Sequence, residues 1–203
     1  MPETSSVDAA MAAIDSEAEA ICFDWADDGI SFSGLEAVLP GQGRLRGGGN
    51  WHAGSLALDL DASALDAAQI ASALRSSRLN GPVSARIGAG RQQLSIKLAD
   101  TRFALAAEAI HANGRVSVPH LELGAGDARL TLRGELDTAN ATFSATGELA
   151  RFDPRRFARV PAALLNGTLS ASGSLRPRPV VAAQFALRDS RLAGQPLTGR
   201  GDL

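Results

Sequence analysis

The stretch Leu149-Ala-Arg-Phe152-Asp153-Pro154-Arg-Arg-Phe157-Ala-Arg-Val160-Pro161, followed by Leu165-Asn166-Gly167-Thr-Leu169-Ser-Ala-Ser-Gly173, decides the fold. It reads as the end of one strand, a short helical turn opened by Asp153-Pro154, and a glycine-punctuated return into a new strand. Aspartate accepts hydrogen bonds from the free amides of a first turn, and proline is pre-set for the first helical position. An earlier copy runs Leu65-Asp66-Ala-Ala-Gln-Ile70-Ala-Ser-Ala-Leu74, then Leu79-Asn80-Gly81-Pro-Val83-Ser-Ala85. The two aspartates stand 87 positions apart and the two asparagines 86. Near-constant spacing marks an internal repeat, with repeat phrases at 65–87 and 152–175, and a repeat governs architecture before any local detail does. The copying extends further: Ala99-Asp100-Thr-Arg-Phe103 is echoed by Arg188-Asp189-Ser-Arg-Leu192.

Around these phrases the hydrophobic period is two. Leu56, Leu58 and Leu60 alternate with Ala57, Asp59 and Asp61, and Leu94, Ile96 and Leu98 follow the same rule. The same grammar recurs at Phe103 to Ala109, Leu130 to Leu136, Phe143 to Leu149, Leu169 to Gly173 and Val181 to Leu187. Pro119 is expected to shift the phase between Val118 and Leu121. Roughly 12–15 strands at spacings of about 10–14 residues predict an all-β meander. One side of each strand is apolar and the other carries Asp, Arg, Ser, Thr and Gln. A sheet with one apolar face must cover that face or curl around it. Residues 21–203 therefore form one repetitive β domain. Residues 1–20 carry Val7, Met11, Ile14 and Ala18 at helical spacing and read as either a helix or a partly disordered segment.

Composition agrees. Hydrophobic content is 45% but aromatics are only 4%, and there are 21 glycines, which suits short, tightly turning strands. A net charge of -2 gives no electrostatic case for nucleic acid. Cys22 is the sole cysteine, so no internal disulfide forms. No run reaches the roughly 20 apolar residues of a membrane span, and the first residues lack the pattern of a signal peptide. The strand-like ending at Leu203 points to a segment of a larger protein.

No catalytic constellation emerges. No serine sits in a nucleophile elbow, and His52, His111 and His120 are not at metal-ligand spacing. Asp59 and Asp61 share a strand face without a calcium-binding loop. Gly47-Gly48-Gly49 lacks the Lys-Ser/Thr of a phosphate loop. The sequon-like Asn140-Ala-Thr142 and Asn166-Gly-Thr168 fall where turn chemistry explains them. Arg155, Arg156 and Arg159 form the densest basic patch, read as the solvated face of a short turn. No enzyme activity, metal or cofactor is expected.

The second repeat phrase, together with Leu165 to Leu175 and Phe185-Ala-Leu-Arg-Asp-Ser-Arg-Leu-Ala-Gly-Gln-Pro-Leu197-Thr-Gly-Arg-Gly-Asp-Leu203, resembles the TamB family (translocation and assembly module subunits) of the AsmA-like superfamily. The resemblance is strongest over 140–203, fair over 54–139 and weak before 54. It implies an elongated, curled, antiparallel-rich sheet, a β-taco, with an apolar groove along its concave face and one or two short helical turns. Members are anchored in the inner membrane of Gram-negative bacteria and cross the periplasm, so this chain would be a middle segment whose anchor lies outside it. The implied function is conduction of phospholipids toward the outer membrane. The alternative is a scaffold or chaperone for outer-membrane proteins and autotransporters. In either case the partner is TamA, an outer-membrane protein of the BamA type, met through other parts of the full protein.

A groove fits the apolar pattern independently, because shelter for an acyl chain needs only non-directional contacts. The candidate lining is Leu56, Leu58, Leu60, Leu94, Ile96, Leu98, Leu130, Leu132, Phe143, Phe185 and Leu187. The same residues would equally serve as the core of a closed sandwich. A carbohydrate-active β-solenoid is disfavoured, since no carboxylate cluster with aromatic platforms exists and only two tryptophans are present.

Overall fold

The computed structural model describes residues 21–202 except positions 27, 71 and 177; the helical or disordered reading of 1–20 lies outside the described residues. The fold is all-β. Thirteen strands form one open, curled antiparallel sheet in which spatial order equals sequence order. They are β1 (Cys22–Ala26), β2 (Gly29–Val38), β3 (Arg44–His52), β4 (Ser55–Leu65), β5 (Leu79–Ile87), β6 (Arg91–Ala99) and β7 (Ala104–Ala112). After these come β8 (Arg115–Ala125), β9 (Ala128–Asp137), β10 (Thr142–Phe152), β11 (Ala163–Ser174), β12 (Val180–Leu192) and β13 (Gln195–Asp202). Among the described residues helix is confined to α1 (Ala67–Ile70) after β4 and a 3-10 turn (Pro154–Arg156) after β10. Both helical pieces are the openings of the repeated phrase, whereas Asn80-Gly81 and Asn166-Gly167 lie inside β5 and β11. Among the described residues no helix is long and apolar enough to cross a membrane.

Directly paired residues of antiparallel strands share a face, so register converts the sequence alternation into two surfaces. One row crosses ten strands from β4 to β13: Leu60, Val83, Ile96, Ala107, Leu121, Leu132, Gly147, Leu169, Phe185 and Gly201. The neighbouring row on that face holds Leu98, Leu105, Leu123, Leu130, Leu149, Gly167, Leu187 and Gly199. On the opposite face the corresponding rows are Glu122, Thr131, Glu148, Thr168, Ala186 and Arg200, and Arg133, Thr146, Ser170, Gln184 and Asp202.

Bulges keep the phase where the alternation slips, because one extra residue re-aims the chain that follows. The register shifts between Ala62 and Leu65 in β4 and between Leu149 and Phe152 in β10, so all four side chains stay on the apolar face. At each bulge one residue takes a left-handed conformation, Ala64 at φ 54° and Arg151 at φ 48°. In β8 the shift falls between Val118 and Leu121, around Pro119, as the sequence predicts; a proline lacks the amide that a regular ladder requires. The three glycines of β3 have a packing reason, since a Cβ at Gly47, Gly48 or Gly49 would strike the carbonyls of Asp59, Phe32 or Ala57 respectively.

The core sits at one end of the strands. Leu79, Leu98, Phe103, Ala125, Phe152 and Phe157 are buried there, with Leu65, Leu74, Leu123, Leu130 and Leu149 packed against them. Phe157 stacks on Phe152 at 5.2 Å between ring centroids and meets Phe103 edge-on at 5.5 Å. Such ring pairs add a modest increment to the area that they bury.

Candidate functional site: an apolar face and the clasp at one end of it

Each joint of the repeat is built by an aspartate and an asparagine. Asp66 Oδ1 accepts from the amides of Ala68 at 3.0 Å and Ser77 at 2.9 Å, pinning both ends of the first joint. Asp153 Oδ1 does the same for Arg155 at 3.1 Å and Ala163 at 3.3 Å. Asn80 Oδ1 accepts from the bulge amide of Ala64 at 3.0 Å, and Asn166 Oδ1 from that of Arg151 at 2.7 Å. The amides of Ser77 and Ala68 hold the Asp66 carboxyl below the usual carboxylate range. Burial pushes Asp100 up, but the amides of Phe103, Arg102 and Arg78 and the charge of Arg102 outweigh it, so its carboxyl is also lowered.

The two joints then meet. Leu74 and Ala158 form an isolated antiparallel bridge, flanked by Arg75 N donating to Phe157 O at 2.8 Å and Arg159 N donating to Ala73 O at 3.1 Å. Arg75 Nε adds a bond to the carbonyl oxygen of Arg155 at 2.6 Å. The second joint is tied to the β8–β9 turn, where Arg156 Nη1 donates to Ala125 O at 2.6 Å and Arg151 pairs with Asp127 at 2.6 Å. This clasp covers one end of the apolar face and buries Phe157 to 4% exposure.

Away from the clasp the apolar face is mostly half-buried, with Leu94 and Phe185 exposed. All eleven residues of the expected lining lie on it by register: Leu56, Leu58 and Leu60 through β3 and β5, and Leu94, Ile96 and Leu98 through β7. Leu130, Leu132 and Phe143 follow through the β9–β10 pairs, and Phe185 and Leu187 through the β11–β12 pairs. Leu98 alone is buried, beneath the clasp; Leu94, on the same strand, is 44% exposed. A concavity of about 580 Å³ lies instead on the polar face. Its rim carries His120, Arg133, Thr146, Glu148, Gln184 and Arg200, and so a mixture of charges and hydroxyls.

Several of the polar candidates have structural partners. Asp59 holds Arg86 Nη2 through both carboxylate oxygens at 3.0 Å, across β4 and β5. His52 lies 3.4 Å from Asp28, His120 lies 3.8 Å from Glu122, and His111 contacts Gln92 Oε1. Arg155 and Arg156 serve the clasp. Among the described residues no group of His, Cys, Asp and Glu is arranged to hold a metal. The pairing of the joints was not read from the sequence; the repeat itself was its only signal.

These features define a class of architecture, an open, curled all-β sheet with one apolar face. Comparison with models of known protein families, with curated proteins and with solved structures found no match to any of them.

Proposed function

We propose that this chain is a lipid-conducting segment of a TamB-like, AsmA-like protein, in which phospholipid acyl chains travel toward the outer membrane along the apolar face. The observation that carries this reading is the unbroken apolar row from Leu60 to Gly201, most of whose residues are half-buried and of which Phe185 is exposed. A chain laid on such a row gains about 0.8 kcal/mol for each methylene removed from water. Ten strands at about 4.8 Å spacing give the row a length of order 40 Å, ample for an acyl chain. The setting is the periplasm, in a protein anchored in the inner membrane. The test is to extract the purified protein for lipid mass spectrometry and to titrate it with a fluorescent fatty acid. Co-purifying phospholipid and saturable probe uptake are expected; absence of both rejects the reading.

A second reading is a scaffold for folding outer-membrane proteins with TamA as partner, in which a strand edge of the sheet pairs with the unfolded substrate. An open edge accepts a further strand. Here prolines placed in β13, rather than charges on the apolar face, would abolish capture of an unfolded β-barrel protein.

A further inference from the structure

We infer that the seam between the two joints is a releasable cap, an internal occupant of the apolar face that an acyl chain displaces. The inference rests on the lipid reading above. Three observations carry it.

First, the clasp lies on the surface that the cargo would use. Leu98, beneath it, continues the row of side chains that includes Leu94 and Ile96 on the same strand, and only Leu98 of the three is buried. Leu74 and Phe157 thus stand at one end of the face where acyl methylenes would otherwise lie.

Second, the seam is thin. It consists of one bridge, two backbone hydrogen bonds, the Arg75 Nε contact with Arg155 O and the packing of half-buried Leu74 against the core, next to the exposed residues Ser72 and Ala73. The ion pairs of Asp127 with Arg151 and Arg156 hold the second joint to the β8–β9 turn and do not cross the seam. A few buried methylenes offset bonds of this kind.

Third, the seam can part without breaking a strand pair, because every strand pairs with its sequence neighbour. The base of the first joint stays fixed meanwhile, since Asp66 pins Ala68 and Ser77 on either side of Leu74. An acyl chain advancing along the row therefore meets Leu74 as a competitor, and the first joint lifts.

Leu74 and Ala158 are paired without exchanging hydrogen bonds with each other, which places their Cα atoms about 4.5 Å apart, within disulfide reach. The test uses the Leu74→Cys/Ala158→Cys protein in a Cys22→Ser background, titrated with a fluorescent fatty acid in its oxidised and reduced forms. Both forms are expected to give the same circular dichroism. The oxidised form is expected to need about tenfold more probe for half-saturation, and dithiothreitol to restore the reduced value. Equal uptake by the two forms overturns the cap and leaves the lipid reading standing. No uptake by either form, with wild type equally inactive, rejects the lipid reading and the cap with it. Should the double variant fail to fold, Leu74→Ser decides: tighter probe binding than wild type supports the cap, and unchanged binding overturns it.

Discussion

Arg75 donates from Nε to the carbonyl oxygen of Arg155 at 2.6 Å across 80 residues of sequence. The two residues belong to equivalent joints of the internal repeat, so the repeat closes upon itself. Strand pairing in this sheet is otherwise strictly between neighbours, a quasi-one-dimensional arrangement that leaves curvature weakly fixed. The clasp supplies the long-range constraint.

Phe157 is the centre of that constraint. Replacing it with alanine removes a ring that is 4% exposed and packed on two others, and is expected to cost about 3–5 kcal/mol in urea unfolding. Leu164→Ala, at a side chain 36% exposed on the β11 edge of the same joint, should cost far less.

Asn80 and Asn166 each cap a bulge amide, and neither side-chain oxygen can be replaced by an apolar group. Asn166→Ala is expected to destabilise by about 1–2 kcal/mol, with hydrogen exchange accelerating first at Arg151. Serine is too short to reach that amide in the same way and should not rescue.

Gly167 has φ 148°, and a Cβ there would collide with the carbonyl oxygen of Ala186. Gly167→Ala is therefore expected to cost about 3 kcal/mol or more and to separate β11 from β12. Gly194, whose added Cβ meets nothing within 4 Å, is the control: its alanine variant bears only the strain of φ 84°.

Acid stability follows from three carboxyls. Asp66, Asp100 and Asp137 are all held below the ordinary range; for Asp137 the cause is the backbone and side-chain bonds from Asn140, supported by the Ala139 amide and Arg115. A lowered folded-state value means that the unfolded chain binds protons more readily. The stabilisation is therefore complete above the unfolded value of about 3.9 and is lost as pH falls through the lower folded values. The urea midpoint is expected to be flat from pH 5 upward as far as these groups are concerned and to fall below about pH 4. Asp66→Asn should lower stability at neutral pH and flatten that acid slope.

On the open face, Leu94→Asp tests cargo binding with little disturbance to the fold, since the side chain is 44% exposed. The variant should keep wild-type circular dichroism and lose most of its fatty-acid uptake, because a carboxylate beside Ile96 opposes burial of methylenes.

Much of the architecture was legible because alternation and turn chemistry are local. The Leu56-Leu58-Leu60 pattern predicts a strand whatever lies elsewhere, and Pro119 signals a phase shift because it cannot donate. The expected lining, Leu56 to Leu187, fell on one face for the same reason: a period of two leaves no other choice once neighbouring strands pair directly. The exposure of these residues was not legible, since alternation is the same in an open sheet and in a closed sandwich. Nor was the concavity on the polar face, which depends on how thirteen strands accumulate twist.

The sequence by itself determined the strands, their alternating faces, the phase shift at Pro119, and the repeat of the Asp66 phrase at Asp153. Each of these is set by a residue's own conformational or hydrogen-bonding limits within a few positions. Only the tertiary structure decided that the two copies touch, with Leu74 against Ala158, and that they shut one end of the apolar face while leaving Leu94 in water. Such a contact has no local cause. It follows from the summed curl of the strands between the joints, a quantity that no single stretch of the chain encodes.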